Sequence, residues 1–125
     1  MEPVSLAAGV VAVLTPLLSK GAEAFMDEVG KSVFEKASSL WSGLRAKWQG
    51  EAVQENMLDR YAAKPGTYQT SIQDMLAETL QADPDFARLL AGLMEDIKQA
   101  GPELNIIMEI ETAEAEVMGL ASTGT

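Results

Sequence analysis

At 125 residues, 47% of them hydrophobic, the chain has enough apolar side chains for one domain with a modest core. Its formal charge of −10 repels a phosphate backbone, which argues against nucleic acid as a partner. Cysteine and histidine are absent, so disulfides, Cys/His zinc sites, thiol nucleophiles, His-dependent triads and the Glu-x-x-His di-iron bundle are excluded. No other constellation points to a cofactor, a metal or catalysis.

The first predicted element is a helix from about Pro3 to Ser19. No charge interrupts the run between Glu2 and Lys20. Val4, Leu6, Val10, Val11, Val13, Leu14, Leu17 and Leu18 leave no polar stripe, and a helix apolar on every side belongs in a core or in a membrane. Pro3 suits the first helical turn, whereas Pro16 should kink or end the helix. At about 1.5 Å per residue the segment reaches roughly 25 Å, a little short of the ~30 Å hydrocarbon core. Ala22-Glu23-Ala24 resembles a small-x-small cleavage site, but the preceding region carries Glu2 and no Lys or Arg, which argues against a signal peptide.

A long second helix is expected from about Ala22 to Gln49. Phe25, Val29, Val33, Ala37, Leu40, Leu44 and Trp48 recur at spacings of three and four, widened by Phe34 and Trp41. Gly30 and Gly43 are the points where it could break, and Gly50 stops it. Core packing is the plainer reading of Trp41 and Trp48, although indoles also favour a membrane boundary. The seven methionines read mostly as core gap-fillers.

A third helix, about Glu51 to Ala63, places Val53, Met57, Leu58 and Tyr61 on one side. Lys64-Pro65-Gly66-Thr67 reads as a turn. A fourth, about Thr70 to Ala82, carries Ile72, Met75, Leu76 and Leu80. Asp83 should cap a fifth, with Pro84 at its first position and Phe86, Leu89, Leu90, Leu93, Met94 and Ile97 as its apolar face. The predicted fold is therefore all-α, a bundle of about five helices over residues 1–101.

Residues 102–125 differ in character, and every charge from Gly101 onward is acidic. Ile106, Met108 and Ile110 alternate with Ile107, Glu109 and Glu111, and Ala113, Ala115 and Val117 alternate with Glu114 and Glu116. That is the period of a strand. A strand with no sheet to join suggests pairing with another chain, in the cross-β manner. Disorder, or an amphipathic helix from Leu104 to Met118, are the competing readings.

Two resemblances coincide on these residues. Met1-Glu2-Pro3-Val4-Ser5-Leu6-Ala7, the apolar run, Lys20-Gly21-Ala22-Glu23-Ala24-Phe25, the helix with Trp41 and Leu44, and Asp83-Pro84-Asp85-Phe86-Ala87 resemble a bacterial Bell domain. That family is the bacterial counterpart of the fungal HeLo and HeLo-like domains. The tail, about 105–120, resembles a bacterial amyloid signalling sequence of the form Gln-x-Ile-Gly-x-Ala-x-Gly-x-Val-x-Gly-Val. Ile110, Ala113, Val117 and Gly119 match it. Leu120 replaces the final valine, Met108 stands at the glutamine, and Glu111 and Ala115 stand at glycines.

The resemblance implies a membrane-permeabilising cell-death effector of bacterial immunity, without enzymatic activity. A receptor-type, nucleotide-binding partner with a matching motif would template the tail, and self-assembly through Ile106 to Leu120 would gather the helical domains. The first helix, led by Glu2, would then enter membrane lipid. The protein would be cytoplasmic at rest and move to the inner face of the plasma membrane on activation. The alternative is a non-enzymatic helical adaptor or scaffold whose tail docks to a partner.

Overall fold

Glycine and proline set most of the element boundaries. A computed structural model describes residues 2–100, which form α1 (Pro3–Lys20), α2 (Ala22–Val29), α3 (Lys31–Lys47), α4 (Ala52–Ala63), α5 (Pro65–Ala82) and α6 (Pro84–Ala100). Among the described residues there is no strand. A single residue joins every pair of consecutive helices except α3 and α4. The expected end of the last helix at Gly101-Pro102 and the whole tail lie outside the described residues.

The helix expected from Ala22 to Gln49 is two helices, and the bundle accordingly has six elements among the described residues. Gly30 is the break. It holds φ +89° and ψ 161°, a region closed to residues with a Cβ. Gly43, the other expected weak point, stays helical inside α3. The seven-residue stripe nevertheless remains buried on both sides of the break, from Phe25 and Val29 to Trp48.

Two further expectations shift. The turn expected at Lys64-Pro65-Gly66-Thr67 is the start of α5, because Pro65 takes the first helical position, where a missing N–H costs nothing. Val53 and Leu89 are not core residues, being 70% and 56% exposed. Val53 lies in the first turn of α4, ahead of Leu58, the first buried residue of that helix. Leu89 sits one residue, and so about 100° of helix rotation, from the buried line of Phe86, Leu90, Met94 and Ile97.

α3 and α6 run antiparallel. Lys36 reaches Asp96 at 3.5 Å at one end, Gly43 lies against Leu90 and Phe86 in the middle, and Lys47 bonds Asp83 at the other end. Asp83 also caps α6 by accepting from the Phe86 amide at 3.1 Å. The Lys47 ammonium, then the Phe86 amide, hold the Asp83 carboxyl below the usual carboxylate range. α1 packs most extensively against α5 and also contacts α2, α3 and α6. The apolar N-terminal helix is thus the axis of the core.

Candidate functional site

The sequence singles out α1 as the candidate functional segment. Its start is built locally. Glu2 is extended, and its Oε1 accepts from the Ser5 amide and hydroxyl at 3.3 and 3.4 Å, while Pro3 occupies the first turn. Pro16 does not end the helix, which continues to Lys20 and closes with the Gly21 amide donating to the Leu17 carbonyl at 3.0 Å. So late in the helix, proline removes one bond, the one its N–H would have made to the Ala12 carbonyl.

Residues Ser5 to Val11 are buried without interruption, and Val13, Leu14 and Leu17 follow. Of the predicted membrane-active residues, Leu6, Val10, Val11, Val13, Leu14 and Leu17 lie in the core. Leu18 is half-buried against it, Val4 is 36% exposed, and Glu2 faces solvent as the cap. The structure therefore brings six of the nine into one buried cluster. Ile106, Met108, Ile110, Ala113, Ala115, Val117, Gly119 and Leu120 lie outside the described residues.

One functional candidate escapes the sequence reading, which placed Tyr61 on the apolar side of its helix and gave it no further task. Tyr61 is fully buried, with its hydroxyl 2.7 Å from Thr15 Oγ1 and 3.5 Å from the Val11 carbonyl. The phenol can accept from the threonine while donating to the carbonyl. It thereby pins α1 to α4 in the turn that Pro16 weakens. Burial pushes the Tyr61 pKa up to about 12, against the opposing pull of the Thr15 hydrogen bond. At the C-terminal end of α1, Lys20 pairs with Glu28 of α2 at the surface, a contact of small energetic weight.

Beside that end lies a shallow groove of about 390 Å³, lined by Leu17, Leu18, Phe34, Ser38, Trp41 and Ser42 among others. Trp41 is half-buried, its ring 6.2 Å from that of Tyr61, and the Arg45 guanidinium covers it at 4.9 Å. Trp48, by contrast, is core, with its indole N–H donating to Thr79 Oγ1 at 3.2 Å. Among the described residues no group of three or more acidic side chains is placed to hold a metal ion.

Magnitudes decide what α1 can do. Full burial of an aliphatic side chain stabilises by about 1.5–3 kcal/mol, so the six buried Leu and Val residues contribute on the order of 9–18 kcal/mol. Whole domains are stable by about 5–15 kcal/mol. Releasing α1 into water would therefore unfold the bundle. α1 has 18 residues, a mean hydropathy of 1.5, and among the described residues is the one helix long and apolar enough to cross a bilayer. Core helices and signal sequences share those properties. No family model, curated protein or solved structure matches this chain.

Proposed function

We propose that this protein is a membrane-permeabilising effector of the Bell type, whose α1 exchanges the bundle core for a bilayer when tails assemble. The observation that carries the reading is the pairing of an apolar helix, uncharged up to its last residue Lys20, with a bundle that buries most of it. At about 27 Å, α1 spans most of a ~30 Å hydrocarbon layer. In both places the six core side chains avoid water, so their transfer is nearly balanced. The unfavourable part is the bared core of α2–α6, and assembly of neighbouring bundles supplies the compensation. A receptor-type, nucleotide-binding protein with a matching motif would act as the seed. The resting protein would be cytoplasmic, and the activated one would sit at the inner face of the plasma membrane.

Deleting residues 1–19 would remove the centre of the core, so a point charge is the cleaner test. Ala12 lies at the midpoint of α1 and is only partly buried, so a lysine there can extend its stem to solvent in the resting bundle. At the middle of a bilayer the same lysine costs about 2.5–3.5 kcal/mol. Clustering the full chain on dye-loaded vesicles should therefore give leakage for the wild type and little for Ala12→Lys, with both proteins equally helical in solution. Equal leakage from the two would refute membrane entry by α1. The deep burial of α1 also suits the adaptor reading, in which α1 never leaves. Induced clustering that assembles the protein in cells without killing them would select the adaptor.

A further inference from the structure

The stripe Phe25, Val29, Val33, Ala37, Leu40, Leu44 and Trp48 is buried throughout, yet the helix carrying it is broken at Gly30. At 100° per residue the seven positions fall within an arc of about 140° on an unbroken helix. The pattern is that of one straight helix, and the resting fold bends it. The bend depends on a conformation that only glycine adopts easily, φ +89° and ψ 161°, and a Cβ built at Gly30 meets nothing within 4 Å. No packing contact thus requires glycine there. The backbone requires it. Gly30 serves both helices, its amide donating to Met26 to close α2 and its carbonyl accepting from Phe34 to open α3. α2 is also short, eight residues, and packs against α1 as well as α3.

We infer that Gly30 is a spring-loaded elbow: α1 holds α2 in the bent position, and when α1 leaves, α2 and α3 straighten into one helix from Ala22 to Lys47. The straight helix would be about 39 Å long. Straightening restores the Phe25–Trp48 stripe to a single face and swings the attachment point of α1 outward by the length of α2. It also opposes return, because the bent pocket for α1 no longer exists. The inference rests on α1 leaving the bundle, as proposed above.

The chain has no cysteine, so spin labels on Ala24→Cys and Ala46→Cys are the only thiol adducts. Both positions are solvent-exposed. A straight helix sets the two Cα atoms about 33 Å apart, and any sharp bend at Gly30 shortens that distance. The full chain, clustered through a C-terminal dimerisation module on dye-loaded vesicles, should gain the ~33 Å population as dye escapes. Gly30→Ala should enlarge that population and speed leakage by at least about fivefold, the size of the alanine-over-glycine preference in a helix, to which the strain of a side chain in the bend adds. Gly50→Ala is the control, since Gly50 also has positive φ (+85°) and open space but lies outside α2 and α3. Leakage with an unchanged short distance, or equal leakage rates from Gly30→Ala and Gly50→Ala, would overturn the elbow. A ~33 Å population in Gly30→Ala without leakage from any variant would leave the bend's straightening in place and overturn the membrane reading.

Discussion

Tyr61 concentrates the polar side of the account in one atom. Its hydroxyl is the contact by which α4 holds α1 at Thr15. Tyr61→Phe keeps the ring and deletes that bond, which should cost about 0.5–1.5 kcal/mol. For a domain of this size each kcal/mol lowers Tm by about 4–8 °C, readable by circular dichroism. The pH dependence has a fixed sign. Because the folded-state pKa is raised, to about 12 from 10.0, the contribution is complete below pH 10 and is lost as pH rises from 10 towards 12. Stability of the wild type should fall across that window, and the Tyr61→Phe curve should be flatter there. Little of this was legible beforehand. The helical spacing put Tyr61 on an apolar face, but its partner lies 46 positions away. The available signal was a phenol bound for the core, which needs a hydrogen-bond partner, and Thr15 as one of few hydroxyls in the apolar run.

At the scale of elements, the same substitution should act with opposite signs at two glycines of the second predicted helix. Gly43 is helical, and an added Cβ would sit at ordinary contact distance, 3.9 Å from Leu90 Cδ2 and 4.0 Å from Phe86 Cε1. Gly43→Ala should raise stability by about 0.4–1 kcal/mol through the reduced freedom of the unfolded chain. Gly30→Ala should lower it by about 1–3 kcal/mol, because the resting bend forbids a side chain. Chemical denaturation of the two variants checks both. This contrast also explains why the helix count rose to six. Both glycines marked weak points, but which one breaks depends on where α2 must lie against α1, a long-range matter. Helix periodicity, the Asp83 cap and the burial of most marked residues were legible because each depends on neighbours within one turn. Val53 and Leu89 were not: Val53 lies in the first turn of α4, ahead of its buried residues, and Leu89 lies beside the buried line of α6, and how far neighbouring helices cover either place is a long-range matter.

For the whole molecule, the decisive comparison is between water, core and lipid as solvents for α1. Water is excluded by the burial energy of its six large side chains. On the proposed reading core and lipid are close to balanced for the buried face of α1, and assembly would offset the bared core of α2–α6. On that reading the net charge of −10, and the exclusively acidic charges after Gly101, would add a lipid preference. Anionic vesicles repel such a chain, so leakage should be greater from zwitterionic than from anionic vesicles, and the gap should narrow as salt rises. Anionic vesicles leaking faster at low salt would contradict this. Membrane entry itself is tested most directly by depth. A fluorescent label on Ala12→Cys, at the midpoint of α1, should be quenched by spin-labelled acyl chains at the bilayer centre once the full chain is clustered on vesicles, in step with dye release. Dye release with the label unquenched at every depth would contradict the account.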